Sequence, residues 1–457
     1  MGYDLNIVVL AAGKGTRMHS DKPKVLHELA GKSLLQHTLD VADGLNASAV
    51  QVVVGHGAGE IKQALKGRNI GIVVQEPQLG TAHAVQQTLE YLDDSALALV
   101  LYGDVPLIRI KTLQDLLSQM HEKSMAVLTC HVAEPHGMGR IIRDDRDRII
   151  AIVEEKDANI EQKVINEINT GIMAFPVKKL KQWLPTIENN NAQGEYYLTD
   201  VVALAVADGF DVLSVECSGA MEASGVNDRV QLAALERYYQ QEKAMEFMLA
   251  GVSIVDPQRF DIRGDAEIGR DVIIDINVII EGKVKIGDGV KIAANCILKD
   301  CEIDTGTIVL SNTIIEKSRI GRRCSIGPFA RIRPDTELHD DVRIGNFVEI
   351  KKSVVGQGSK INHLSYLGDT RAGKNVNVGA GTITCNYDGI NKHMTEIGDD
   401  VFVGSNTAVV APVKIADGAT IAAGSVVTRD VNNGQLAVAR ARQTNIDGWQ
   451  RPKKTKR

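Results

Sequence analysis

Over residues 262–427 an aliphatic side chain returns at every sixth position. Ile262, Ile268, Ile274, Ile280, Ile286, Ile292 and Leu298 make one series, and Ile308, Ile314, Ile320, Ile326, Ile332, Leu338, Ile344 and Ile350 the next. Val355, Ile361, Leu367, Ala372, Val378, Ile397, Val403, Val409, Ile415, Ile421 and Val427 continue it. A period of six suits neither the 3.6 of an α-helix nor the alternation of sandwich strands; it marks a parallel β-helix of hexapeptides. Each hexad supplies a short flat strand and a corner, three hexads close a triangular coil, and about nine coils stack roughly 4.8 Å apart. Glycine follows the inward residue at Gly269, Gly287, Gly321, Gly327, Gly345, Gly398 and Gly404. This predicts corners that use glycine for positive φ or for close approach of the next coil.

The N-terminal half obeys another rule. Residues 7–10, 50–54, 70–74, 98–101 and 126–128 read as buried strands, with helical patterns over 34–45, 82–92 and 112–122 between them. Such alternation predicts a mostly parallel sheet covered on both faces, with a ligand at the carboxyl ends of its strands. A helical pattern (Val230, Leu232, Leu235, Tyr238, Tyr239, Met245, Met248, Leu249) then runs through 228–250. The predicted organisation is an α/β domain over 1–227, a stiff helical linker over 228–250, and a β-helix domain with a C-terminal tail over 251–457.

Composition excludes some partners. A net charge of −6 argues against a general polyanion binder, and 4% aromatic residues leave little for base-stacking platforms, so no nucleic-acid partner is expected. The basic stretch at 451–457 reads as a solvated tail. Six cysteines show no C-x-x-C pair, which points to reduced thiols in a cytoplasmic protein. The opening residues lack the basic region of a signal peptide, and no apolar run approaches membrane-spanning length.

The first predicted strand ends in Leu10-Ala11-Ala12-Gly13-Lys14-Gly15-Thr16-Arg17-Met18, followed by Lys22-Pro23-Lys24. Small residues let backbone N–H groups approach phosphate oxygens, and the cations add charge. The spacing fits neither the dinucleotide fingerprint nor the P-loop, so taken alone this is either a phosphate loop or a plain tight turn. Beside it stand Gln75 and Gln78-Leu79-Gly80-Thr81-Ala82 after the third strand, Tyr102-Gly103-Asp104-Val105-Pro106 after the fourth, and Asn227. In the other half the hexad phase breaks between Thr384 and Ile397, inserting a polar loop around Cys385 to His393. Loops that leave a rigid repeat commonly carry function. One coil earlier His363 follows the inward Ile361, where spacing alone allows a structural or a catalytic histidine.

The N-terminal residues resemble the sugar-1-phosphate nucleotidyltransferases. Together with the hexapeptide half, the resemblance narrows to the bacterial bifunctional N-acetylglucosamine-1-phosphate uridyltransferase/glucosamine-1-phosphate N-acetyltransferases and covers essentially the whole chain. It implies a Rossmann-like nucleotidyltransferase domain, a linker helix and a left-handed parallel β-helix. The implied enzyme acetylates glucosamine-1-phosphate with acetyl-CoA, then transfers UMP from UTP to N-acetylglucosamine-1-phosphate, supplying UDP-N-acetylglucosamine for peptidoglycan and lipopolysaccharide. Leu10, Ala11, Ala12, Gly13, Gln75, Gly80 and Thr81 would hold the uridine nucleotide, with Tyr102 and Gly103 alongside and Arg17 and Lys24 on its phosphates. Asp104 and Asn227 would bind Mg²⁺, while Gly139, Glu154 and Asn169 would hold the sugar. Their plain alternatives are a turn cap for Asp104, a solvated charge for Glu154 and a turn residue for Asn169.

By the same resemblance His363 matches the general base, suited because imidazole titrates near neutrality. Arg333, Lys351, Tyr366 and Asn377 match the glucosamine-1-phosphate site, and Ala380, Asn386, Tyr387, Ser405, Ala423 and Arg440 the acetyl-CoA site. A homotrimer is expected from three flat faces under closed symmetry. The rival readings are a monofunctional nucleotidyltransferase with a scaffold prism, a synthase for another sugar or base such as ADP-glucose, and a binding module.

Overall fold

In the computed structural model, which describes residues 4–454, the chain divides into two units, Met1–Tyr239 and Gln240–Arg457. The first three residues and the last three of the basic tail lie outside the described residues.

The first unit is built on strands β1 (Leu5–Ala11), β2 (Ala49–Val54), β3 (Gly71–Val74), β4 (Leu97–Tyr102), β5 (Ser124–His131), β6 (Arg140–Arg143), β7 (Ile149–Val153), β8 (Glu167–Pro176) and β9 (Asp211–Glu216). Their order is β9-β5-β8-β4-β1-β2-β3, with β6 bridging β8 and β7. The pairs of β1, β2, β3, β4 and β9 are parallel as expected, but β8 runs antiparallel between β4 and β5. Helices α1 (Leu34–Gly44), α2 (Ala58–Ala64), α3 (Thr81–Gln86), α4 (Ile110–Ser118), α5 (Val177–Trp183) and α6 (Val201–Ala207) accompany the sheet. The run Ile7 to Leu10 shows why β1 is central: Val8 and Leu10 enter one core, Ile7 and Val9 the other, so the strand needs cover on both faces. Strand order reverses between β1 and β4, which opens a crevice at their carboxyl ends. Helix α7 (Arg229–Leu249) begins in this unit, where Leu232, Leu235 and Tyr239 pack on Met18, Leu29 and Leu34.

The second unit opens on the rest of α7. There the Gln240 amide exchanges two hydrogen bonds with the Ile262 backbone, at 2.8 and 2.7 Å, and Phe247 meets Phe260 edge to face. A parallel β-helix follows, one face of which carries eleven strands from Ser253–Ile254 to Leu436–Ala437, more than the nine coils expected.

The inward register also differs from a strict six. Val309 and Ile315 are fully buried whereas Ile308 is 39% exposed, and Ile303 is an inward residue that the hexad series skipped. The cause is a coil shortened by one residue. Ile297 pairs with Ile314, seventeen residues on, while Ser325 pairs with Arg343, eighteen on. The short corners turn on Asp300, Lys317, Lys352 and Asp369, all at positive φ between 42 and 49°.

The corner glycines divide unequally between the two expected uses. Of the seven, only Gly327 has positive φ. The others give room, since a Cβ on Gly287, Gly321 or Gly404 would lie 2.7, 2.7 or 2.4 Å from backbone of the next coil. Corner carbonyls are answered from inside by small polar side chains. Thr307 Oγ1 donates to Gly321 O at 2.7 Å, Ser318 Oγ to Arg333 O at 2.9 Å and Cys324 Sγ to His339 O at 3.1 Å. Burial pushes the thiols of Cys296 and Cys324 up to about 11 and that of Cys301 to about 12, so these cysteines serve packing.

Candidate active sites

In the first unit three strand ends border one cleft of about 450 Å³. β1 delivers Leu10, Ala11, Ala12 and Gly13, the segment after β3 delivers Gln75, Gly80 and Thr81, and β4 delivers Tyr102 and Asp104; Lys24 closes the wall. Gly103 lies beneath, its N–H on Leu10 O at 3.0 Å. Arg17, in the turn Thr16–Met18, is exposed and does not line the cleft. Lys14, Gln78 and Glu195 do line it, though only the resemblance had separated site from bystander here.

Two glycines are needed where they stand. Gly15 sits at φ +59 with its absent Cβ 2.6 Å from Lys24 Cβ, and Gly80 at φ +113 with its absent Cβ 2.5 Å from Tyr196 O. Any other residue would push the phosphate loop off Lys24, or α3 off the cleft. The Gln75 side chain is buried and donates from Nε2 to Gly80 O at 2.9 Å, and Nε2 also lies 3.2 Å from His83 Nδ1. That leaves its carbonyl oxygen free to accept from a base.

Asp104 and Asn227 are far apart in sequence and adjacent in space. Val226 N donates to Asp104 O at 2.9 Å, which brings the start of α7 to the end of β4. The Lys24 ammonium then bonds Asp104 Oδ2 and, at 3.3 Å, Asn227 Oδ1. A carboxylate and an amide oxygen converging on one cationic point suit a hard divalent ion that takes its other ligands from water and phosphates. Among the described residues no group of three or more His, Cys, Asp or Glu is placed to hold a metal ion, so an all-protein cage does not fit.

A second cluster adjoins. Asn169 N donates to Gly139 O at 2.9 Å and Gly171 N to Asn169 Oδ1 at 2.9 Å. The Glu154 carboxylate lies 3.4 Å from where Gly139 would carry a Cβ and accepts from Thr199 Oγ1 at 3.2 Å. The ladder of β8 on β5 shifts register between Asn169 and Met173, a bulge of the kind that re-aims side chains beside sites. Tyr102 joins the clusters. Its phenol pKa is raised, first by desolvation and then by the carboxylates of Glu154 and Asp104. Desolvation also raises Glu154. The structure therefore brings Gly139, Glu154 and Asn169 together, with Tyr102 between them and Asp104.

In the second unit the predicted residues form two columns. His363 ends the strand Lys360–His363, exposed at a corner, with Nδ1 3.2 Å from Asn346 Oδ1 one coil below. An amide oxygen only accepts, so Nδ1 carries the hydrogen and Nε2 keeps a lone pair. Above it the same corner repeats. Gly381 N donates to His363 O at 3.4 Å, Asn406 N to Ala380 O at 2.7 Å and Gly424 N to Ser405 O at 2.8 Å, and Arg440 Nη1 donates to Ala423 O at 2.8 Å. Asn377 lies on the same face, paired with Lys360 and Phe402.

The second column stands at the next corner. Arg333 N donates to Ile350 O and Asp369 N to Lys351 O. Arg333 is held by Glu349 Oε1 at 2.6 Å. The Lys351 pKa is lowered, first by Lys392 and then by Arg333, so three cations crowd one spot. Gly368 makes room for two predicted residues, since a Cβ there would fall 2.3 Å from Tyr366 Oη and 2.8 Å from Asn386 Nδ2. Asn386 Nδ2 donates to buried Asp369 at 2.6 Å. Tyr387, exposed, starts the inserted loop and donates from its hydroxyl to Gly389 O at 2.5 Å. The loop is tied by Asp388, which accepts from Ile390 N, Asn391 N and His393 Nε2. Asn346, Glu349 and Lys392 were missed in the sequence. The first two stand one coil before His363 and Tyr366, a signal readable only once the seventeen-residue coil is known; Lys392 lies in the loop, outside any period.

Comparison with known proteins follows the same division. Residues 7–171 match the family model of the MobA-like NTP transferase domain, 258–333 that of the GMPPB C-terminal domain, and 317–352 and 394–429 that of the bacterial transferase hexapeptide (six repeats). Three curated relatives carry the name bifunctional protein GlmU. That of Marinobacter nauticus is 53% identical, that of Cellvibrio japonicus 56% and that of Pseudoalteromonas atlantica 51%. Each alignment spans 98% of this chain and 99% of the relative.

Proposed function

This chain belongs to the family of the bifunctional GlmU proteins, and from that premise we propose which residues carry its two transfers. It is a uridyltransferase and acetyltransferase making UDP-N-acetylglucosamine. The observation that carries the first site is the convergence of Asp104 and Asn227 on one cationic point at the end of β4, beside the phosphate loop. Backbone N–H groups of Ala12 and Gly13, with Lys24, bind the phosphates of UTP from the cleft wall, and Arg17, which does not line the cleft, reaches them only if its exposed side chain swings over the mouth. Gln75 and Gly80 face the uracil, and Thr81 starts the helix beneath it. Gly139, Glu154 and Asn169 hold N-acetylglucosamine-1-phosphate. A phosphate oxygen of the sugar attacks the α-phosphorus in line and pyrophosphate leaves, a step in which positioning and charge neutralisation do most of the work. Mg²⁺ held by Asp104 and Asn227 would supply that neutralisation at the phosphates.

In the second unit Arg333 and Lys351, with Lys392, take the phosphate of glucosamine-1-phosphate, beside Tyr366 and Asn377. His363 Nε2 removes a proton from the amine as it attacks the thioester carbonyl of acetyl-CoA; the tetrahedral adduct then collapses with cleavage of the C–S bond, and CoA leaves as the thiol after taking up the proton from His363. Ser405 stabilises the tetrahedral oxygen, and Ala380, Asn386, Tyr387, Ala423 and Arg440 line the coenzyme. Within one chain, however, His363 and the Lys351 column stand at opposite ends of the flat strand Tyr366–Gly368. The three residues of that strand alone cover on the order of 10 Å, and the chain turns at Leu364 before reaching His363. A neighbouring chain completes each site, which supports a homotrimer. Among the described residues no helix is long and apolar enough to cross a membrane. A cytoplasmic enzyme is the reading that fits six cysteines with free thiols.

Mass spectrometry of the products from glucosamine-1-phosphate, acetyl-CoA, UTP and Mg²⁺ tests this function. UDP-N-acetylglucosamine, pyrophosphate and free CoA are expected. Pyrophosphate release without CoA release would leave the prism a scaffold, and preference for ATP over UTP would make the enzyme a synthase of another nucleotide sugar.

A further inference from the structure

We propose that Arg140 is a positioning residue for the sugar side of the uridyl-transfer site, fixing the spacing of Gly139, Glu154 and Asn169. The inference rests on the reading of that cluster as the sugar-binding wall. Arg140 opens β6, and its Cα partners are Val153 on β7 and Ile168 on β8. Each wall residue stands one place from this triple: Gly139 before Arg140, Glu154 after Val153, Asn169 after Ile168.

The side chain does what the backbone register alone cannot. It is 1% exposed. Its guanidinium donates to Met138 O, to Glu155 Oε2 at 2.6 Å and to Lys163 O at 3.4 Å. One rigid planar group thus ties the segment entering Gly139, the segment leaving Glu154, and the end of the short helix Ile160–Lys163. The charge is matched by Glu155, whose pKa is lowered chiefly by the Arg140 hydrogen bond. Glu154 owes its raised pKa first to burial, and Arg140 is not among the causes. The clamp thereby holds one of two neighbouring carboxylates and leaves the other to face the sugar hydroxyls.

Arg140 Nε is buried without a partner. An apolar side chain of similar volume would remove both that orphan donor and the desolvation of the ion pair, so the gain from arginine here is in geometry. Lysine keeps the charge but has no planar fork to address several acceptors at once.

The test uses the full-length protein and varies UTP and N-acetylglucosamine-1-phosphate separately for the parent, Arg140→Met, Arg140→Lys and Glu155→Gln. Arg140→Met is expected to raise KM for the sugar phosphate roughly tenfold or more while KM for UTP stays within about twofold. Arg140→Lys should recover part of the loss and Glu155→Gln shift KM the same way by less. Acetyl transfer from the same preparations should match the parent. A residue that only stabilised the fold would lower activity without separating the two KM values. Equal rises in both, or an unchanged sugar KM in soluble Arg140 variants, would overturn the proposal; if Arg140→Met is insoluble, the Lys and Glu155→Gln variants decide by the same split. A parent that makes no UDP-sugar overturns the reading beneath the clamp, a result distinct from an active parent indifferent to Arg140.

Discussion

At His363 the commitment of one ring nitrogen decides what the other can do. Asn346 one coil below accepts from Nδ1, and Nε2 is then the atom we propose as the acceptor of the amine proton. His363→Ala should lower acetyl transfer by about a hundredfold and leave uridylyl transfer from added N-acetylglucosamine-1-phosphate intact; acetylation at the parental rate would return His363 to a structural role. Glu154 shows the energetic side of a residue we assign to the sugar wall. Desolvation raises its carboxyl pKa above the ordinary 4.5, so its contribution to stability is fully present below that value and is lost as pH rises through the folded-state pKa. At pH 7 the charged side chain weakens the fold. Glu154→Gln should therefore unfold at a higher temperature than the parent at pH 7, with the difference closing in acid, while uridylyl transfer falls. Thermal unfolding across pH checks this, and a less stable variant at pH 7 would contradict it.

At the scale of elements the inserted loop between the strands Ile383–Cys385 and Thr395–Ile397 depends on one side chain. Asp388 accepts from two backbone N–H groups and from His393, and these bonds hold its carboxyl below the usual range. Their contribution is present above the ordinary value of 3.8 and fades as pH falls through the folded-state pKa. Asp388→Ala should loosen the loop that carries Asn386, Tyr387 and Lys392, raising KM for both acetyl-transfer substrates several-fold, about 1 kcal/mol each, with uridylyl transfer unchanged. Kinetics equal to the parent would show that the loop is held elsewhere. This loop was visible in the sequence because it breaks a period, and periodicity also revealed the β-helix and the alternating strands of the first unit. What the sequence hid came from geometry of one residue or less. The corners shortened by one residue at Asp300 and Lys317 moved the inward position from Ile308 to Val309, and a residue-by-residue count of six carries no mark of where a corner drops one. The antiparallel β8 was hidden because a buried strand reads the same in either direction. Asn227 meets Asp104 through a backbone bond from Val226 and a shared contact with Lys24, which no local pattern announces and only the resemblance implied.

At the scale of the whole molecule the two units have separate cores, the first around β1 and the second inside the prism, with the division falling within α7. A fragment ending at Ala250 should keep uridylyl transfer and lose acetylation, and a folded fragment with both activities would refute the assignment. The second unit, by contrast, should not work alone as one chain. The residues we assign to acetyl transfer occupy two corners of the coil, and at one of them Phe329 and Phe347 stack at 5.3 Å while standing 49% and 56% exposed. With Leu364, also exposed, they form an apolar ridge one residue beyond Asn346 and His363. All three hold positive φ, between 48 and 57°, a conformation that bulky side chains rarely adopt. Both the strain and the exposed apolar surface are offset if another copy of the chain covers the corner. Sedimentation equilibrium should give a trimer. Replacing Phe329 and Phe347 by Asp should dissociate it and abolish acetylation while the released monomers still transfer uridylyl groups. A monomeric parent that acetylates at full rate would break the argument, because its two columns would then have to meet across a face that separates them.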